Sequence, residues 1–164
     1  MTIANKLSVI TVCFNSEDTI ISCLDSISNQ KFVNFEHIII DGNSTDKTCE
    51  LIKQYTKNRN INVRFISEPD QGIYDALNKG IQMASGEIVG ILHADDRYFD
   101  SNVLKDIMNC YDLLNWDVLY GDLVYEKISK RPVHSRVWKS DTLKIKNLKL
   151  GWMPPHPTLF IKLN

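Results

Sequence analysis

The feature that most constrains this chain is a repeated alternation. Short runs dense in Val and Ile are each followed by a stretch whose apolar residues recur at helical spacing. Residues 7–14 are rich in β-branched side chains and read as a first strand, broken by Asn15-Ser16-Glu17-Asp18. Ile20, Ile21, Leu24 and Ile27 then mark a helix to about Gln30. Residues 35–40 form a second strand ending at Asp41-Gly42-Asn43-Ser44. Ser44 or Thr45 is placed to cap a helix with Cys49, Leu51, Ile52 and Tyr55 on its apolar face. A third strand, 62–66, ends in Ser67-Glu68-Pro69-Asp70-Gln71-Gly72, and a helix from about Tyr74 carries Leu77, Ile81 and Ala84 as far as Ser85-Gly86. Residues 87–92 lead straight into His93-Ala94-Asp95-Asp96, before a helix over 102–114 and a strand over 118–120. Strand–helix alternation of this kind builds a parallel sheet. After Gly121 the alternation fails, and 122–128 and 133–138 read as antiparallel strands.

The expectation is therefore an α/β domain: a mostly parallel central sheet flanked by helices, then the start of a smaller antiparallel region. At 164 residues one domain is accommodated, with 1–120 as its ligand-binding part and 121–164 as a second, incomplete part. The four cysteines (Cys13, Cys23, Cys49, Cys110) have no CxxC spacing and sit in apolar stretches, as buried free thiols do. His37 reads as a satisfied edge-strand residue, and Phe14 and Tyr74 as packing residues.

The first residues lack a secretory pattern, and no apolar run approaches the ~18–20 residues that span a bilayer. The chain reads as cytoplasmic. Net charge is −1, but residues 1–125 hold 18 Asp/Glu against 10 Lys/Arg, whereas 126–149 hold eight Lys/Arg against Glu126 and Asp141. That basic segment is either a solvated face or a surface for anionic lipid head groups or an acceptor pyrophosphate, which leaves peripheral contact at the inner face of the membrane open. It lacks the motif context of a nucleic-acid site.

Ligands of open parallel sheets bind outside the carboxyl ends of the strands. Four such ends carry polar residues here: Asn15, Asp41-Gly42-Asn43, 68–72, and Asp95-Asp96. Together they describe a polar crevice for a charged ligand. No GxGxxG follows the first strand and no GxxxxGK[ST] exists, so neither a dinucleotide fold of that type nor a P-loop is present. A diphosphate held without a glycine cradle needs its charge offset otherwise, and adjacent carboxylates can do this through a bridging Mg²⁺ or Mn²⁺.

Four motifs in fixed order then carry a specific resemblance: Val9-Ile10-Thr11-Val12-Cys13-Phe14-Asn15; Ile40-Asp41-Gly42-Asn43-Ser44-Thr45-Asp46; Ser67 through Gly80; and Ala84-Ser85-Gly86-Glu87 with Leu92-His93-Ala94-Asp95-Asp96. Over residues 7–100 the chain resembles family 2 glycosyltransferases of the GT-A fold. Its stretch from Gly151 to Phe160 is similar to a later segment of the bacterial polysaccharide and lipid-glycan branch. The resemblance implies transfer of a sugar from a UDP- or GDP-sugar to an acceptor hydroxyl of a glycan or lipid-linked acceptor in cell-surface glycan biosynthesis. It further implies inversion and dependence on Mn²⁺ or Mg²⁺.

It also implies roles. Thr11, Phe14 and Asn15 would lie beside base and ribose, and Asp41 would accept from the pyrimidine edge. Asn78 and Lys79 would flank the donor, Asp95 would face ribose or sugar, and Asp96 would bind the metal. Each has a plainer alternative: Asp41 as a turn residue, Asp95-Asp96 as a solvated pair, Asn78 and Lys79 as helix surface. Many relatives have aspartate where this chain has His93, which is expected to be a packed histidine or a partner of the pair. Relatives supply the catalytic base from an acidic motif beyond the segment resembling 151–162, and Asn164 precedes any such motif. The main base is thus expected to be absent. Asp122 and His156 are the remaining candidates, each equally readable as a turn or loop residue. The alternatives are a truncated enzyme or a non-catalytic nucleotide-sugar-binding domain. A nucleotidyltransferase would need a glycine-rich basic loop after the first strand, and Asn15-Ser16-Glu17-Asp18 is not one.

Overall fold

The computed structural model describes residues 6–57, 61–127, 133–142 and 145–163. Two strands, β1 (Leu7–Cys13) and β2 (Phe35–Asp41), are buried along their whole length, as continuous β-branched runs in a doubly covered sheet must be. The helices α1 (Ile20–Ser28), α2 (Thr48–Lys57), α3 (Ile73–Met83) and α4 (Val103–Leu114) separate them from β3 (Asn62–Ser67), β4 (Ile88–Ile91) and β5 (Val118–Leu119). A hairpin of β6 (Leu123–Lys127) and β7 (Val133–Trp138) follows as a separate two-stranded antiparallel sheet. The short α5 (Ile145–Lys149), a 3-10 turn at His156–Thr158 and β8 (Phe160–Lys162) complete the described chain.

The six-stranded sheet runs β3-β2-β1-β4-β8-β5. β1 is parallel to both β2 and β4, so the strand order reverses beside it and opens a crevice at its carboxyl end. β8 lies antiparallel between β4 and β5, with Phe160 opposite Gly90. A Cβ on Gly90 would come within 2.2 Å of the Phe160 ring, so the glycine is what seats that strand.

Apolar side chains fill both faces. On one, Leu7, Val9, Ile88 and Phe160 meet Cys23 and Ile27 of α1 and Leu104, Ile107 and Met108 of α4. On the other, Ile10, Val12, Ile38, Ile40 and Val89 meet Ala76 of α3. Each fully buried Leu or Ile contributes roughly 1.5–3 kcal/mol. Gly80 lets α3 approach closely, since a Cβ there would sit 2.5 Å from Ile10 Cγ2. Gly86 is hemmed in by main chain instead: a Cβ would meet the Leu7–Ser8 backbone at 2.6–2.7 Å. Backbone cannot swing aside as a side chain can, so Gly86→Ala should cost about 1–3 kcal/mol, read as a lower urea midpoint with an unchanged slope.

Several sequence expectations need correction. His37 is not on an edge strand; β2 is interior and the ring is fully buried. Phe14 and Tyr74 are 60% and 80% exposed and do not pack. On α3, Leu77 and Ala84 do reach the core, but Ile81 is exposed and Gly80 takes the buried position. Neither Ser44 nor Thr45 caps α2; the Asp46 carboxylate accepts the Thr48 N–H at 2.9 Å instead. The cysteines are free thiols, but only Cys13 and Cys23 are buried, and burial pushes the Cys23 thiol up to about 12. Within the basic segment, α5 forms unexpectedly; residues 128–132 and 143–144 lie outside the described residues. Among the described residues no helix is long and apolar enough to cross a membrane.

Candidate functional site

The turns after β1 and β2 are laced together at the mouth of the crevice. Asn15 and Asn43 take left-handed backbone conformations (φ 48° and 64°), which asparagine tolerates better than most residues. Asn15 Oδ1 accepts the Thr45 N–H at 2.9 Å, and its own N–H donates to Ser44 Oγ at 2.8 Å. One residue on, the Ser16 N–H donates to Thr48 Oγ1 at 2.7 Å, the Glu17 N–H donates to Asp46 Oδ2 at 3.0 Å, and the Glu17 carboxylate accepts the Lys47 N–H at 2.9 Å. Asn15 is therefore a clasp between the turns as well as an exposed polar group.

Asp41 is the hub of this arrangement. Strand register sets it between Cys13 on β1 and Ser67 on β3. Its Oδ2 accepts from the Ser44 N–H (2.9 Å), Ser67 Oγ (2.7 Å) and Cys49 Sγ (3.0 Å), and its Oδ1 from Ser44 Oγ and Cys13 Sγ. Burial pushes its carboxyl up, but donors from Ser44, Cys49 and Ser67 outweigh it and hold the group below the usual carboxylate range. The residue is fully buried, so both oxygens are spent inside the protein. Thr11 is also fully buried, with its hydroxyl 2.9 Å from His37 Nε2. It stands under the crevice rather than at its surface.

Above the hub lies a residue that sequence reasoning did not single out. The Asp70 carboxylate rests against Gly42, where a Cβ would meet Asp70 Oδ2 at 2.6 Å and Phe14 Cδ2 at 3.4 Å. Asp70 Oδ1 accepts the Gly72 N–H at 2.8 Å. Its place in the Pro69-Asp70-Gln71-Gly72 turn was the available signal. Lys79 is committed to its neighbours, with Nζ 2.9 Å from Glu68 Oε1, 3.5 Å from Asp75 Oδ2 and 3.2 Å from the Pro69 carbonyl oxygen. Asn78 is exposed on the same helix.

The loop after β4 carries the carboxylate pair. Asp95 is exposed and Asp96 half-buried. Burial first, then the Asp95 charge, pushes the Asp96 carboxyl up to about 6, with His156 acting in the opposite sense. The 3-10 turn brings the His156 ring to 5.4 Å from His93, edge to face. His93 Nδ1 is buried without a hydrogen-bond partner, and burial, followed by His156, lowers its pKa. Two like charges held together with one partly desolvated fit a site that takes a cation. Among the described residues no three His, Cys, Asp or Glu groups are arranged to hold a metal by themselves. A hard cation here would complete its shell with ligand and water oxygens.

Asp122 stands at the start of the β6–β7 hairpin. Its Oδ1 accepts the Ser140 N–H at 2.7 Å and the Gly121 carbonyl accepts from Ser140 Oγ, so it ties the base of the β6–β7 hairpin. Thr158 Oγ1 donates to the same Gly121 carbonyl at 2.9 Å, linking the hairpin to the turn that carries His156. A cleft of about 410 Å³ opens beside α1, lined by Ser22, Asp25, Arg97, Tyr98 and Asp100 among others. None of Asp41, Asp70, Asp95 or Asp96 lines it.

Known proteins resemble this chain along most of its length. The family model described as glycosyl transferase family 2 matches residues 8–161. A PGL/p-HBAD biosynthesis glycosyltransferase of Mycobacterium bovis is 30% identical over 129 residues, covering 78% of this chain and 50% of the relative. The chain thus spans about half the length of the curated relatives it matches first. Among solved structures, S. aureus TarS 1-349 superposes with a TM-score of 0.71 at 28% identity, over 96% of this chain and 47% of that one. The same protein in complex with UDP-GlcNAc gives 0.63 at 32% identity, over 79% and 37%. A mannosyltransferase from Pyrobaculum calidifontis, in complex with GDP-Man and Mn²⁺, shares the fold with a TM-score of 0.66 at 23% identity, over 73% and 36%.

Proposed function

The chain belongs to glycosyl transferase family 2, and we propose that it binds a nucleoside-diphosphate sugar for transfer of the sugar to an acceptor hydroxyl. The observation that carries this reading is the Asp95–Asp96 pair, with Asp96 half-buried and its carboxyl pushed up to about 6, at the end of the strand beside the switch point. A carboxylate that resists ionisation beside another carboxylate is poised to gain from a cation and a diphosphate arriving together. The complex of TarS with UDP-GlcNAc, a protein 32% identical, supports a UDP-sugar as the donor.

In this reading Asp96 holds Mn²⁺ or Mg²⁺ and Asp95 faces the ribose or sugar. The bound cation would offset the charge that builds on the departing diphosphate. The protein's own part is placement. Asn15, Ser44 and Asp41 fix the turns that form the crevice mouth, and Phe14 offers an exposed ring face there. His156, held by Thr158 and Gly121, stands beside His93 at the carboxylate pair, where it contacts donor or acceptor. Lys79 steadies the 68–75 loop through Glu68 and Asp75. Inverting transfer needs a base to take the acceptor proton. Asp122 is engaged with Ser140, and we assign that step to no residue described here. Inversion, a role in cell-surface glycan biosynthesis and contact of the basic 126–149 stretch with a membrane surface belong to the same proposal and rest on the resemblance and on composition.

The engagement of Asp122 also favours a second reading, a nucleotide-sugar-binding domain that does not turn over. Calorimetric titration of UDP with and without Mn²⁺ tests the donor site. Metal-dependent binding is expected, weakened roughly tenfold or more in Asp96→Ala. No binding, or binding indifferent to both the metal and the substitution, would sink the proposal. Release of free sugar from UDP-GlcNAc by this chain would exclude the binding-only reading.

A further inference from the structure

Between α5 and His156 the chain makes a turn that leaves two large apolar side chains in water. Leu150 is 84% exposed and Met153 71%. The backbone beneath them is ordered. Gly151 takes a left-handed conformation (φ 85°), and the Trp152 N–H donates to the Asn147 carbonyl at 2.9 Å, a Schellman closure of α5. The Trp152 ring meets Tyr120 edge to face at 5.9 Å, and the Tyr120 hydroxyl donates to the Asp141 carbonyl. Buried Pro155 then leads into the 3-10 turn of His156. Leu150 and Met153 are therefore displayed by a fixed frame.

The charge around this tip has one sign. Lys146 and Lys149 of α5 are both exposed. Residues 139–153 hold four lysines against Asp141, whose Oδ1 already accepts the Thr142 N–H at 2.8 Å. Apolar tips bordered by lysines match an anionic lipid surface. The tips enter the acyl boundary, while the ammonium groups stay among the head groups. An acidic protein would match the lysines alone and would have to supply a separate pocket for each tip.

We propose that Leu150 and Met153 insert into an anionic lipid surface, with Lys146 and Lys149 on its head groups. This rests on the reading of the basic stretch given above and deepens it, turning a diffuse attraction into a contact with named apolar anchors. Two side chains and two lysines give reversible attachment, not permanent anchoring. The contact also bears on the site. Met153 lies three residues before His156, whose turn is tied to Gly121 through Thr158. Docking of the tip would hold His156 near the head groups, where a lipid-linked acceptor presents its polar end.

The test is flotation of the chain with phosphatidylcholine vesicles, with and without about 30% phosphatidylserine. The wild type should float with the anionic vesicles, less so as salt rises, and much less with the neutral ones. Replacing both Leu150 and Met153 by Asn should weaken that binding about tenfold or more. Replacing both Lys146 and Lys149 by Gln should weaken it roughly tenfold as well. Calorimetric titration of UDP should give the same result for both variants as for the wild type, which separates this contact from the donor site. Binding to anionic vesicles that survives the apolar double substitution overturns the insertion, while the broader membrane reading stands. A wild type that floats with neither vesicle overturns both. A chain that instead self-associates through Leu150 and Met153, seen as a dimer in sedimentation that the Asn variant lacks, also overturns the proposal.

Discussion

Exchanging His37 for glutamine should remove from this chain a stability loss of about 2 kcal/mol that the wild type carries between pH 7 and pH 5. His37 is fully buried and burial lowers its pKa to about 3. In the unfolded chain it titrates near 6.5. Below that value the unfolded state takes up a proton that the native state refuses, so the native state loses ground as pH falls. The loss grows by ~1.4 kcal/mol per pH unit until the native ring itself titrates. Asp96 works against this over part of the same range. Its carboxyl is raised to about 6, so the native state binds a proton there that the unfolded state does not. His93, lowered by burial and by His156, works with His37. Comparing urea unfolding of wild type and His37→Gln across that range isolates the His37 contribution. Parallel pH profiles for the two proteins would show that the ring is protonated in the folded chain.

Asp41→Asn should be among the most damaging single substitutions at the crevice. The carboxylate satisfies the Ser44 N–H and the hydroxyls of Ser44 and Ser67 from inside the protein. An amide cannot accept on both arms, so at least one part-buried donor loses its partner and a new N–H₂ faces the Ser67 hydroxyl or the Cys49 thiol. At roughly 1–3 kcal/mol for each unsatisfied group, a total near 3 kcal/mol is expected. That corresponds to a fall of about 6–12 °C in Tm for a chain of this size. The folded pKa of Asp41 is depressed, so its stabilisation is present above the unfolded carboxylate range and is lost as pH falls through the lower folded value. The gap between wild type and Asp41→Asn should accordingly narrow in strong acid. A thermal melt unchanged by the substitution would mean that the network is not closed as the geometry has it.

Much of this architecture was legible in the sequence because its central strands are covered on both faces. Such strands must be continuous apolar runs, and β1, β2 and β4 fell within a residue of their expected bounds. What escaped depends on contacts between distant segments. Nothing local says that the last strand inserts between β4 and β5; that depends on Gly90 leaving room for Phe160. His37 looked like an edge residue because an imidazole inside a parallel sheet is costly, and the Thr11 hydroxyl on the neighbouring strand and the edge-on Tyr55 ring accommodate it. The site shows the same division. Asp95 and Asp96 were visible as a pair at a strand end. That Asp41 is enclosed was not, because its donors come from positions 13, 44, 49 and 67, brought together by register. Asp70 was inside a quoted motif yet passed over, since its meaning lies in its contact with Gly42.

The position of β8 also has a consequence in time. Synthesis delivers β1 through β4 early, and those four strands can pair among themselves in the order β3-β2-β1-β4. The outer edge of β4 then stays open while roughly seventy more residues are made, at a translation rate of ~5–20 residues per second. Only when residues 160–162 leave the ribosome can β8 fill that edge and join β5 to the sheet. For several seconds the nascent protein therefore carries an unpaired strand next to an apolar Val89 and Ile91, the kind of edge that pairs with a neighbouring chain. Chaperone demand during translation should concentrate in that interval.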